Sequence, residues 1–368
     1  MKNQRLGQMA ALALVGSLAL AACGSASNGS GAAAGSGTAA GCDGAGNLSA
    51  AGSTAQQNAM AQATAGYKTK CAVDVSYNGT GSGAGITSFI NKQVDFAGSD
   101  SALNPKGKSG DEVAKAKAAC GSDAWDLPMI TGPIAVAFNV KGLDKLVLTP
   151  ALTAQIFGGK ITKWNDPAIA AANSGASLPD EAISVFFRSD SSGTTDNFTN
   201  YLNTAAPSDW PDAHGKEWTG KVGQGKQGNP GVGQGIQATE GGIGYVEWSF
   251  AIQNKLAMAQ IDNGAGPVEL TADSAGKAIA AATVKGTGND LALKIDYTTK
   301  APGAYPIVLV TYEIICSKYT DSAKGAAVKS FLTYMASSEF QSTLTSIGSA
   351  PLPQEIQTKV SAAIAAIK

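Results

Sequence analysis

The sequence predicts an α/β protein whose sheets are covered by helices on both faces. Three observations carry that expectation. Strand-like and helix-like patterns alternate along most of the 368 residues. Three clusters of glycine and small hydroxyl residues each fall where a strand pattern gives way to a helix pattern: Gly52-Ser53-Thr54, Gly79-Thr80-Gly81-Ser82-Gly83 and Arg188-Ser189-Asp190-Ser191-Ser192-Gly193-Thr194. The stretch from Cys42 to Lys368 is also too long for one core of ordinary size and fits two domains.

Taken in order, Ala55–Met60 after the first cluster is rich in good helix formers. Ala72–Tyr77 alternates at period two, as a half-buried strand does. Beyond the Gly79–Gly85 turn, Ile86, Phe89 and Ile90 fall on one helical face. Val94–Ala97 returns to strand and stops at Ser99-Asp100, and residues 101–123 read as polar loop and short helix. Leu127–Val140 is an extended apolar strand, broken at Gly132-Pro133. Thr149-Pro150 places an N-cap before a proline at the first helical position, and that helix ends near Gly158-Gly159. Ile183, Val185 and Phe187 alternate up to Arg188, and Phe198, Tyr201 and Leu202 share a helical face. Gly233–Glu240 reads as helix, Gly242–Trp248 and Pro306–Ile315 as strands, and residues 321–346 as one or two helices. Ligands of open α/β sheets bind beyond the carboxyl ends of the strands. All three clusters occupy that position.

The first residues carry an export pattern. Lys2 and Arg5 precede an apolar stretch too short for a comfortable membrane span, which closes on Leu20-Ala21-Ala22-Cys23. That tetrapeptide resembles a bacterial lipobox. The resemblance implies a signal peptide over residues 1–22 and a lipid on Cys23; an ordinary signal peptide with a chance cysteine is the alternative. Residues 24–41 are almost wholly Gly, Ala, Ser, Thr and Asn and cannot bury enough apolar surface to order themselves. As a flexible coil their ends lie roughly 20–25 Å apart. With Cys23 they form a tether, 23–41, that holds a folded body outside the cytoplasm near a membrane.

Charge is nearly balanced, with 27 basic and 28 acidic residues. No basic field exists to attract nucleic acid, so any anion has to be held by local donors. No second apolar run is long enough to span a bilayer. Assigning Cys23 to lipid leaves Cys42, Cys71, Cys120 and Cys316, an even number in an oxidising compartment. Three pairings satisfy that count; Cys42–Cys71 with Cys120–Cys316 is favoured because Cys42 and Cys71 each precede an early strand. No CxxC pair and a single histidine, His214 in a loop-like segment, argue against zinc and against His-dependent catalysis.

The clusters carry anion chemistry. A helix N-terminus offers unpaired N–H groups and partial positive charge, and small hydroxyl residues allow close approach. Arg188 adds a planar fork of donors suited to a tetrahedral oxyanion, and Asp190 can hold that fork from its far side. Ser192, Gly193, Thr194, Thr54 and Ser82 supply hydroxyls and N–H groups; taken singly, each hydroxyl also fits simple N-capping. Asp100 discriminates between anions. A carboxylate facing an anion is repulsive unless the ligand brings a proton for it to accept. Phosphate monoanion and dianion do so and sulfate does not, which leaves sulfate opposed by unpaired acceptors.

Ala51-Gly52-Ser53-Thr54, Tyr77–Gly85, Val94–Asp100, Lys160–Asp166, Arg188–Thr194 and Gly241–Glu247 occur in an order and spacing that resemble the phosphate-binding protein of the bacterial high-affinity phosphate ABC importer, the PstS family. The likeness covers nearly all of residues 48–355. It implies a two-lobed periplasmic-binding-protein fold of type II, with two mixed sheets flanked by helices and a two-strand hinge. It implies inorganic phosphate in the cleft without metal or other cofactor, and a monomer that delivers it to the importer's membrane subunits without catalysis. Carried over by position, the phosphate ligands are Thr54, Ala55, Ser82, Asp100, Arg188, Ser192, Gly193 and Thr194, with Asp190 orienting Arg188. Many relatives carry an aromatic residue and then proline where this chain has Ala55-Gln56, so less cover over the site is expected. With crossings at Gly132-Pro133 and Tyr305-Pro306, lobe one comprises 43–131 and 307–368, and lobe two 132–306.

Other readings are weaker. Gly79–Ala84 fits a dinucleotide-fold signature, but such cofactors are scarce outside the cell. Ala102–Ser109 lacks the first glycine of a phosphate-binding P-loop. A phosphohydrolase needs a metal cluster or a nucleophile with its base, and neither is evident. A surface adhesin or scaffold is the non-enzyme alternative, and the absence of any phosphate effect on melting temperature would favour it. Arsenate shares the protonation of phosphate and is expected to be discriminated only modestly.

Overall fold

The computed structural model of the protein describes residues 42–44, 46–107 and 110–368. The expected signal peptide, Cys23 and the expected tether lie outside the described residues. The alternation legible in the sequence becomes a mixed sheet of nine strands: β1 (Leu48–Gly52), β2 (Val75–Gly79), β3 (Phe96–Ser99), β4 (Ala124–Asn139), β5 (Ser184–Arg188), β6 (Gln224–Lys226), β7 (Gly242–Glu247), β8 (Ala257–Met258) and β9 (Val308–Cys316). Their order is β2-β1-β3-β9-β4-β7-β5-β6, with β8 against β4. The strands β1, β2 and β3 run parallel, as do β5, β6 and β7.

The two sheets expected from the sequence are joined through β4. Its first part, Ala124–Pro133, pairs with β9, and its second part, Ile134–Asn139, pairs with β7. The strand is therefore continuous where the sequence reading broke it. Proline lacks an N–H, and here that loss falls where β4 changes partner. The two expected crossings lie side by side: Ile134 N donates to Ile307 O at 2.9 Å, and Tyr305 Oη donates to Ile134 O at 2.9 Å.

Helices α1 (Gln57–Cys71), α2 (Ser82–Ile90), α3 (Glu112–Cys120), α4 (Pro150–Phe157), α5 (Gly193–Ala205) and α6 (Gly228–Gln237) flank the strands. The first runs about three turns past the stretch read as helix. It ends where Ala72 adopts a left-handed φ of 54°, and the strand after it starts later, at Val75. The Lys160–Asp166 segment serves the core: Trp164 is buried, and its Nε1 donates to Gly241 O at 3.1 Å. Among the described residues no helix is long and apolar enough to cross a membrane.

Both favoured disulfides are present, Cys42–Cys71 and Cys120–Cys316, with sequence separations of 29 and 196 residues. The second ties the end of α3 to the end of β9. Cross-linking restricts the unfolded chain more when the closed loop is longer, and removing a native bridge costs about 2–5 kcal/mol. Replacing Cys120 and Cys316 by serine is expected to fall at the upper end of that range, and replacing Cys42 and Cys71 nearer the lower end. Denaturant unfolding of the two double variants checks the order.

Candidate functional site

The tips of β1, β2, β3 and β5 converge, and the turns beyond them supply the site. Close approach of backbone explains two glycines. A Cβ on Gly52 would lie 1.9 Å from Gly98 O, so only glycine lets β1 and β3 run on into their loops side by side. Gly81, at φ +95°, starts α2 with its Cα facing the second half of the sheet, where a Cβ would lie 2.5 Å from Asp190 Oδ2.

Arg188 ends β5 and is buried. Its backbone N donates to Tyr245 Oη at 3.0 Å. Its guanidinium Nε and Nη2 grip Asp190 Oδ1 and Oδ2 at 2.7 and 2.5 Å, and Nη1 reaches Thr194 Oγ1 at 3.3 Å. Asp190 thus holds two of the three guanidinium nitrogens. Burial acts to raise the Asp190 pKa, but the Arg188 contacts outweigh it and hold the carboxyl below its usual range. A further donor to Asp190 Oδ1 is Gly228 N at 3.1 Å.

Asp100 follows β3 and is buried. Oδ2 accepts the Thr194 hydroxyl at 3.2 Å. Oδ1 is buried without a hydrogen-bond partner among the described residues. Burial pushes the pKa up to about 6, against the opposing pull of the Ser53 hydroxyl, Arg188 and the hydroxyls of Thr194 and Ser82. A buried acceptor left without a donor is costly unless a ligand supplies the hydrogen.

The remaining expected residues meet at the same place. Ser82 opens α2, and its Oγ accepts from Gly193 N at 3.1 Å and Asp100 N at 3.2 Å. Gly193 opens α5 so close to Asp100 and Ser82 that a Cβ there would lie 2.6 Å from Asp100 Cβ. Ser192 is the N-cap of α5: its Oγ accepts from Thr195 N at 3.1 Å, and its own N donates to Lys216 O at 2.8 Å. Capping is therefore what the Ser192 oxygen does here, with its hydrogen left to donate. Ala55 N donates to Ser53 Oγ at 2.9 Å. Gln56 turns inward, donating to Tyr77 Oη at 3.0 Å, and is buried rather than laid over the site. Despite the smaller Ala55, the site is closed: Thr54, Asp100 and Arg188 are 3 %, 2 % and 1 % exposed.

Contacts across the two halves of the sheet close it. Gly83 N donates to Ser191 O at 3.0 Å, and Asn197 Nδ2 donates to Asp100 O at 2.8 Å. Lys216 Nζ pairs with both Glu112 oxygens at 2.9 Å. Ser101 Oγ donates to Asp196 Oδ2 at 2.5 Å, and the other Asp196 oxygen lies 2.5 Å from His214 Nδ1. His214, read as a solvated loop residue, is half exposed but has this carboxylate as partner, which raises its pKa.

Sequence reasoning missed Asn229. It sits fully buried at the start of α6 and reaches both halves of the site, bonding Thr54 and Thr194. Gly228-Asn229-Pro230-Gly231 looks like a turn, and helix was expected only from Gly233. The usable signal was Pro230 itself, which is tolerated in the first turn of a helix.

Comparisons with known proteins place the chain in a family. The chain matches the PBP superfamily domain over residues 29–339. It is 48% identical over 373 residues to the phosphate-binding protein PstS2 of Mycobacterium bovis (strain BCG / Pasteur 1173P2), covering 100% of both chains. It is 46% identical over 375 residues to the phosphate-binding protein PstS 3 of Mycobacterium tuberculosis (strain ATCC 25618 / H37Rv), again covering 100% of both. Among solved structures, the fold resembles a high-affinity periplasmic phosphate-binding protein, PfluDING, bound with phosphate. The TM-score is 0.71 at 22% identity, over 86% of this chain and 93% of that one. A phosphate ABC transporter substrate-binding protein from Clostridium perfringens, with bound phosphate, gives a TM-score of 0.60 at 19% identity over 83% and 100%.

Proposed function

The chain belongs to the PstS phosphate-binding proteins of the PBP superfamily, and from that membership we propose that it captures inorganic phosphate between two lobes and delivers it to the membrane subunits of an ABC importer. The observation that carries the reading is Asp100 Oδ1, a buried acceptor without a partner among the described residues, set among the donors of Arg188, Thr194 and two helix N-termini. Such a pocket needs a ligand rich in acceptors that also brings a hydrogen, which describes phosphate.

In this reading Arg188 Nη1, the hydroxyls of Thr54, Ser82 and Ser192 and the backbone N–H of Thr194 donate to phosphate oxygens, while the Thr194 hydroxyl stays with Asp100 Oδ2. The Gly193 N–H is handed over from Ser82 Oγ and the Ala55 N–H from Ser53 Oγ. Asp190 fixes the Arg188 fork. Lobe one is 43–131 with 307–368 and lobe two is 132–306, moving about the paired segments near Pro133 and Ile307. Phosphate stabilises the closed form through contacts made to both lobes. The protein acts as a monomer, without catalysis, outside the cytoplasm and held to the membrane by lipid on Cys23. Calorimetric titration of the purified protein is expected to give heat with phosphate and none with sulfate at matched concentration. Heat with both, or with neither, overturns the reading.

A further inference from the structure

Asn229 is buried, and both polar atoms of its side chain are bonded. Its Oδ1 accepts from Glu247 N at 2.9 Å, which fixes the amide so that Nδ2 faces the pocket. The two Nδ2 hydrogens then go to Thr54 Oγ1 at 3.1 Å and Thr194 Oγ1 at 3.2 Å. The backbone N of Asn229 donates to Thr54 Oγ1 as well, at 3.0 Å.

A hydroxyl has one hydrogen to give and two lone pairs to accept with. Thr54 Oγ1 accepts twice from Asn229, so only its hydrogen remains to offer. Thr194 Oγ1 accepts from Asn229 Nδ2 and from Arg188 Nη1 at 3.3 Å, so its hydrogen goes to Asp100 Oδ2 at 3.2 Å. That capping leaves Asp100 with one free acceptor, Oδ1. We infer that Asn229 is a positioning residue that fixes the direction of both threonine hydrogens, so that Thr54 can only donate to the ligand and Asp100 accepts a single ligand hydrogen. The inference rests on the reading of the pocket as a phosphate site and deepens it. The residues that touch the anion have their donor and acceptor sense set by one that does not.

The test is a binding cycle on the full chain. Asn229→Leu keeps the volume and removes the amide; phosphate binding, read by calorimetry, is expected to weaken at least tenfold. In a background carrying Thr54→Val and Thr194→Val no hydroxyl is left to orient. There the same Asn229→Leu change is expected to weaken phosphate less than threefold. If Asn229→Leu does not fold, Asn229→Ala is measured in the same two backgrounds. A packing role shifts melting temperature in both backgrounds and weakens binding by the same factor in each. Equal factors, with phosphate binding by the parent intact, overturn the inference alone. A parent that binds no phosphate overturns the phosphate reading and the inference together.

Discussion

Asp100→Asn is expected to weaken phosphate binding by about tenfold to a hundredfold and to bring sulfate within reach. The first effect is the loss of a buried acceptor for the ligand's hydrogen, a mismatch of about 1–3 kcal/mol. The second follows because a neutral amide can turn its NH2 toward an oxygen that Asp100 repels. Parent Asp100 also makes the selectivity pH-dependent. Its pKa lies at about 6, raised chiefly by burial. Above that pH it is ionised and accepts a hydrogen; below it the carboxyl is protonated and can donate instead. Sulfate affinity of the parent is therefore expected to rise as pH falls through about 6, while the Asn variant shows little such change. Titrations with both anions at pH 5 to 8 decide it. An unchanged phosphate-to-sulfate gap in the variant would remove Asp100 from the selectivity argument.

Arg188→Met carries the largest combined effect. It removes the charged donor and strands Asp190, which is buried to 8 % side-chain exposure beside it. Breaking a buried pair from one side costs about 3–5 kcal/mol, because the remaining charge has no partner. Binding is expected to fall below detection and the midpoint of denaturant unfolding to drop sharply. Adding Asp190→Leu should recover most of the stability, since an apolar pair of similar volume replaces a buried ion pair at little cost. It should recover none of the binding. Arg188→Lys keeps the charge but not the fork that spans Asp190 and Thr194, so it is expected to fold and bind weakly. Phosphate binding by the double variant would show that Arg188 serves the fold alone.

The residues nearest the anion chemistry were legible because each announces itself locally. A strand ending on glycine and hydroxyl residues before a helix has few other uses, and an Arg-x-Asp pair at such an end forms its own clamp. What escaped has a long-range cause. Asn229 acts through partners 175 and 35 residues away, and nothing in Gly228–Gly231 alone shows them. The continuity of β4 was hidden for the same reason: Gly132-Pro133 reads as a break until β7 and β9 are in place to share the strand. Ser192 was legible as ligand or cap; its oxygen caps α5, which leaves its hydrogen to donate.

The sharing of β4 bears on how the chain is born. A ribosome releases Ala124–Pro133 long before Val308–Cys316, the partner that flanks it in the finished sheet. Until that last strand emerges, the apolar side of β4 and the thiol of Cys120 wait unpartnered. Maturation thus hinges on a late arrival, and a chain truncated before residue 308 would leave its early portion exposed to aggregation or proteolysis.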